Sequence, residues 1–223
     1  MKRVRMVKVG SLLAACLAFL LSPPLVSAGE EQRAPPEART SGTLGPQVMR
    51  AISEIQELMQ PEDEDDEPDL EGAKAELDEL YERRFERMND FEKQTVLNFY
   101  TNYWLTVENY GEAISTFEQL LAIEELREDT RLRTLRSLGQ LTAAEERWRD
   151  SIRYYGLWRE VSLEEDDIVF RGLSYAHYQV DELAEALPYW ISYMEILLDR
   201  GEELDRDDYS YLNGLYFQLE DFA

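Results

Sequence analysis

Residues 96–121 read VLNFYTNYWLTVENYGEAISTFEQLL, and this stretch decides the fold. Val96, Leu97, Tyr100 and Trp104 recur at three- and four-residue intervals, and Ile114, Phe117, Leu120 and Leu121 repeat the pattern. Each set makes one apolar stripe of a helix. Asn109-Tyr110-Gly111 interrupts them with residues that favour turns. Two amphipathic segments joined by so short a break predict an antiparallel helical hairpin. Beyond residue 70 the chain holds one proline, Pro188, expected near the start of its helix, where a missing N–H costs least. No stretch alternates β-branched and polar residues, so the expected fold class is all-α.

The hairpin recurs. Aligned on Tyr110-Gly111-Glu112-Ala113, a unit from Gln94 places Leu97, Tyr100, Thr101 and Trp104 in its first helix and Ala113, Phe117 and Leu120 in its second. A unit from Leu132 places Leu135, Leu138, Gly139 and Thr142, then Ser151, Tyr155 and Trp158. A unit from Asp167 places Phe170, Leu173, Ser174 and His177, then Ala186, Trp190 and Tyr193. A half unit from Arg206 supplies Tyr209, Leu212, Asn213 and Tyr216. Small residues fall where helices must approach and aromatics where they leave space. The four tryptophans and His177 are accordingly read as packing residues. Upstream, Val48, Ala51, Ile52, Ile55 and Leu58, then Ala73, Leu77 and Leu80, predict an atypical first hairpin over 48–90 across an acidic loop at 61–69. Expected caps are Ser162 with Glu165, and Asn89 or Asp90 ahead of Glu92.

Residues 94–223 resemble tetratricopeptide-repeat (TPR) proteins, whose repeat of about 34 residues carries a large apolar residue, L-G and Y in helix A, and A, F and A in helix B. The resemblance implies a superhelical solenoid of antiparallel hairpins with a concave groove that holds a partner segment. The chain stops inside its fourth repeat, which predicts a solenoid incomplete at its C-terminus, with Tyr209, Leu212, Tyr216, Leu219 and Phe222 as an uncovered face. A narrower likeness rests on Leu97-Asn98-Phe99-Tyr100, on Asn109-Tyr110-Gly111-Glu112-Ala113-Ile114, and on residues 211–223, YLNGLYFQLEDFA. These are similar to the exported TPR component accompanying certain TonB energy-transduction systems of Gram-negative bacteria. That likeness implies a periplasmic partner of the TonB complex supporting iron-siderophore or haem uptake.

Composition narrows the function classes. With 23 Lys and Arg against 47 Asp and Glu, the formal net charge is −24. Nucleic acid and anionic membrane surfaces are therefore not expected partners. One Cys and one His leave almost no room for disulfide frameworks, Cys/His zinc sites, Cys–His nucleophiles or Ser-His-Asp triads. No H-E-x-x-H, G-x-S-x-G or glycine-rich phosphate loop is present. The chain reads as a non-enzyme with no cofactor and no metal, a carboxylate-based hydrolase being the enzymatic alternative. A second alternative is an envelope-assembly or cell-division factor acting through oligomerisation, against which residues 48–90 lack a heptad seam.

Lys2, Arg3, Arg5 and Lys8 precede the apolar residues 9–21, Ser22-Pro23-Pro24 and Val26-Ser27-Ala28. This is the pattern of a signal peptide, 1–28, cleaved after Ala28, and it predicts a periplasmic protein with no cysteine. The competing reading is a lipobox at Leu13-Ala14-Ala15-Cys16, with Cys16 lipidated and the protein membrane-anchored. Residues 29–47, with their paired prolines, are expected to be a disordered tether. The acidic run at 61–69 fails the calcium-loop spacing and reads as a solvated loop.

The resemblance also implies which positions line the groove: the second, fifth, ninth, twelfth and thirteenth of each repeat. Matched here, they give Asn98 and Asn102; Arg133, Arg136 and Gln140; Arg171, Tyr175, Tyr178 and Gln179; and Phe217 and Gln218. None is an acid, although Asp207 stands at the first such position of the last repeat. The functional reading gives Arg133, Arg136 and Arg171 the carboxylates of an extended partner segment, Asn98 and Asn102 its backbone, and the aromatic residues its apolar groups. The alternative is that the arginines pair with acids four residues away on a solvated face, each pair contributing about 0.2–0.5 kcal/mol.

Overall fold

A computed structural model describes residues 42–61, 63 and 67–221. The expected signal peptide, Cys16, the tether up to residue 41 and Phe222 lie outside the described residues. Among the described residues there are nine α-helices and no strand: α1 Pro46–Met59, α2 Leu70–Arg84, α3 Asp90–Thr106, α4 Tyr110–Leu121, α5 Glu128–Ala144, α6 Trp148–Val161, α7 Asp167–Gln179, α8 Leu183–Asp199 and α9 Arg206–Asp221. A 3-10 turn, Phe85–Arg87, follows α2. Each odd-numbered helix from α1 to α7 packs against the next as a hairpin, neighbouring hairpins stack, and α9 lies on α8. The architecture is an all-α, TPR-type solenoid.

The apolar stripes form its core. Val48, Ile52 and Ile55 of α1 pack with Ala73, Leu77 and Leu80 of α2 and with Val96 and Tyr100 of α3. Farther along, Leu135 and Leu138 of α5 meet Tyr154, Tyr155 and Trp158 of α6 and Val169 and Leu173 of α7. A fully buried leucine such as Leu138 contributes roughly 1.5–3 kcal/mol. Two glycines permit the closest approach. A Cβ on Gly139 of α5 would lie 2.4 Å from Tyr155, and one on Gly172 of α7 would lie 2.5 Å from the same ring. Tyr155 thus sits between the first helices of two successive repeats.

The hairpin turns repeat one geometry. Glu108, Glu146 and Asp181 all have φ near +60°. In each case the next N–H reaches back to close the helix: Asn109 to Trp104, Arg147 to Thr142 and Glu182 to His177, at 2.8, 2.7 and 2.9 Å. These are Schellman closures with a non-glycine residue in the left-handed position. The turn residues stand 38 and 35 positions apart, matching the separations of the unit starts Gln94, Leu132 and Asp167.

Several expectations are corrected. The tether ends earlier than residue 47: the Gly45 N–H donates to Glu92 Oε1 at 2.8 Å, Leu44 packs on the first core cluster, and Pro46 opens α1. Proline suits a first helical position because that N–H has no partner within the helix. Ser162 is not the cap of α7. It ends α6 and turns onto Glu164, while Asp166 caps α7 by accepting from the Val169 N–H at 3.1 Å. Pro188 is the sixth residue of α8, not near its first turn, and removes the bond to the Ala184 carbonyl. Both residues are exposed, so water can meet that carbonyl. Asn89 does cap α3, in a reciprocal box with Glu92.

The last repeat departs most from the pattern. Leu215, at 0% exposure, joins the α8 cluster, and Leu212 and Leu219 pack against it. Of the face expected to be uncovered, therefore, only Tyr209 and Tyr216 are exposed among the described residues. The tryptophans also divide: Trp158 and Trp190 are buried, whereas Trp104 and Trp148 are only half-buried.

Candidate functional site

The groove positions sit on the first helices of the repeats, α3, α5, α7 and α9, whose opposite faces form the core. Seven of the eleven are exposed: Asn98, Arg133, Gln140, Arg171, Tyr175, Gln179 and Phe217. Phe217, at 66% exposure, is the most exposed large apolar residue of α9. The Tyr175 ring stands edge-on to Trp148, 5.8 Å between centroids, so α6 adds its first aromatic residue to this surface. The sequence signal for Trp148 was its position at the hairpin turn, outside the repeat signature.

Side-chain contacts join successive repeats along this line. Gln218 of α9 donates to the Tyr178 hydroxyl of α7 at 3.1 Å, and the Tyr178 ring lies 5.6 Å from Tyr211. Arg136 of α5 meets Asp166 at 2.8 Å, the carboxylate that also caps α7. Arg136 is therefore not an open anchor for a partner carboxylate: its charge holds the entry of α7. No side-chain hydrogen bond joins Asn98 or Asn102 of α3 to α5 among the described residues.

The other two arginines differ from Arg136. The Arg133 guanidinium is 3.7 Å from the exposed Asp129, one turn back, and 3.4 Å from the hydroxyl of the buried Thr130, both long contacts. This is the i,i+4 pairing of the structural alternative, worth a few tenths of a kcal/mol. Arg171 makes no ion pair among the described residues, and its guanidinium lies 5.8 Å from the Tyr193 ring. Both remain able to turn toward an incoming carboxylate at small cost.

Behind the face, polar groups are tied into the fold. His177 Nδ1 lies 2.8 Å from Glu182 Oε2, its ring stacked on Tyr189. The Arg149 guanidinium, and then His177, hold the Glu182 carboxyl below the usual carboxylate range. Burial pushes the Tyr211 hydroxyl up to about 12, and burial followed by the Asp78 contact pushes Tyr100 well above the ordinary tyrosine range. Among the described residues no group of three His, Cys, Asp or Glu side chains could hold a metal ion. None of the described helices is long and apolar enough to cross a membrane.

Comparison with protein-family models and with curated proteins returns no match. Among solved structures, one titled MamA AMB-1 superposes with a TM-score of 0.47 at 17% identity, covering 71% of this chain and 87% of that one.

Proposed function

We propose that the chain is a non-catalytic adaptor that holds an extended segment of a partner protein along the first-helix face of its repeats. One observation carries this reading: seven exposed residues of Arg, Asn, Gln, Tyr and Phe, none of them acidic, share that set of helices in a chain of net charge −24. Arg133 and Arg171 take carboxylates of the segment, the amides take its backbone, and Tyr175 and Phe217 take apolar side chains. The signal-peptide pattern supports a periplasmic location. The likeness of residues 97–100, 109–114 and 211–223 supports an accessory role in a TonB system for iron or haem uptake.

Affinity capture from periplasm of iron-limited cells tests it. The wild-type chain should retain one partner that Arg133→Ala/Arg171→Ala binds about 30-fold more weakly, the equivalent of about 2 kcal/mol for a true anchor pair. Unchanged affinity in a normally folded double variant removes these residues from binding.

A further inference from the structure

In each complete repeat the signature positions of the first helix lie inside the hairpin. On α3 they are Leu97, Tyr100, Thr101 and Trp104, on α5 Leu135, Leu138, Gly139 and Thr142, and on α7 Phe170, Leu173, Ser174 and His177; all are buried except the half-buried Trp104. The matching positions of α9 are Tyr209, Leu212, Asn213 and Tyr216. Tyr209 and Tyr216 are 51% and 46% exposed, Asn213 is exposed and Leu212 is half-buried. Among the described residues α9 packs on α8 through a different side, where Leu215 is buried.

The open face has the spacing of a helix–helix seam. Tyr209, Leu212, Tyr216 and the half-buried Leu219 recur at intervals of three and four, the a and d positions of a heptad. Arg206, Asn213 and Glu220, seven residues apart and all exposed, flank that seam on one side. The stripe is self-complementary. Laid antiparallel on a copy of itself about a two-fold axis, α9 sets Tyr209 against Leu219 and Leu212 against Tyr216 of the second copy. The same register brings Arg206 beside Glu220 of the second copy, and the symmetry makes this pair twice. Asn213 falls at the axis beside its own counterpart, where each side-chain amide can donate to the other's oxygen. A parallel pairing would instead set Arg206 on Arg206 and Glu220 on Glu220. Asp205, next to Arg206, is held by the helix it caps, accepting from the Asp207 and Asp208 N–H groups at 2.8 and 2.9 Å.

We infer that two copies of the chain pair through this face of α9, the second copy's α9 lying antiparallel on the signature positions that a second helix covers in the other repeats. Burial of the two exposed tyrosines and the half-covered leucines drives the association, and the Arg206–Glu220 pairs set its direction. The contact is isologous, so it closes at a dimer. Phe217 and Gln218 lie outside the seam, which uses no residue assigned to partner binding above and leaves the first-helix face open.

Sedimentation equilibrium of the purified chain tests this with variants of exposed residues. The wild type should be a dimer at micromolar concentration, with no larger species. Tyr209→Glu/Tyr216→Glu should be monomeric with its helical circular dichroism unchanged. Arg206→Glu and Glu220→Arg each turn two attractive pairs into repulsive ones, and each should raise the dimer Kd about tenfold. Combined in one chain, the two substitutions restore opposite charges at both pairs and should return the wild-type Kd. A wild type that stays monomeric to about 1 mM overturns the inference and leaves the face to a helix of another protein. It is equally overturned by wild-type dimerisation in Tyr209→Glu/Tyr216→Glu, by species larger than a dimer, or by a combined charge exchange that recovers no affinity.

Discussion

Tyr155 shows how single residues set the spacing of this stack. Its ring fills the gap that Gly139 and Gly172 leave, so a methyl group on either glycine meets ring carbons of a buried side chain that has nowhere to move. Overpacking of this kind costs about 1–3 kcal/mol, against about 1 kcal/mol that alanine gains over glycine in a helix. Gly139→Ala and Gly172→Ala should therefore lower stability on balance. Gly156→Ala, with nothing within 4 Å of the added methyl, should raise it by up to about 1 kcal/mol. Urea midpoints at constant m-value check all three. The buried tyrosines give a second prediction. Burial raises Tyr100, Tyr155 and Tyr211 above the ordinary value of about 10. A raised tyrosine contributes stability that is fully present below the unfolded pKa and is lost as pH climbs through the interval toward the folded value. The urea midpoint should hold between about pH 7 and 9 and fall above about pH 10, with tyrosinate absorbance rising together with unfolding. A midpoint that stays flat to about pH 11.5 would contradict it.

At the scale of elements, the left-handed turn residues are the common feature of the hairpins. Glu146 at φ 57° and Asp181 at φ 60° hold a conformation that glycine adopts without strain. Gly201, at φ 75° after α8, already does so. Glu146→Gly should stabilise the fold by up to about 1 kcal/mol, measured as a rise in Tm, while the same change at Glu145, one residue before, should not. The hairpins themselves were legible in the sequence because the 3.6-residue stripes and the near-34-residue recurrence depend on local spacing. Less local features were not legible. Ser162 and Asp166 both offer a capping oxygen, and what favours Asp166 is Arg136, thirty residues earlier in the chain. The same contact withdrew Arg136 from the expected groove anchors. Periodicity also cannot tell an exposed signature position from a covered one, so Tyr209 and Tyr216 of α9 were grouped with Leu212 and Leu219 although only the leucines pack inward. In the sequence Pro46 reads as part of a linker, because proline marks both loops and helix starts.

Over the whole molecule, charge separates the surfaces. Acids far outnumber bases in the sequence, yet the exposed groove positions named above carry two arginines, amides and aromatic rings, with Asp207 at the start of α9 the acid among their neighbours. The second helices of the repeats present a different surface, with Leu157 of α6 and Glu195 of α8 exposed. A partner held by the first-helix face should touch the former set and not the latter. Site-specific photo-crosslinking in cells that express the chain tests this directly, with a benzophenone side chain placed in turn at Gln140, Gln179, Leu157 and Glu195. Gln140 and Gln179 should yield one and the same partner adduct and the other two positions none; adducts formed equally at Leu157 and Glu195, or only there, would contradict the account.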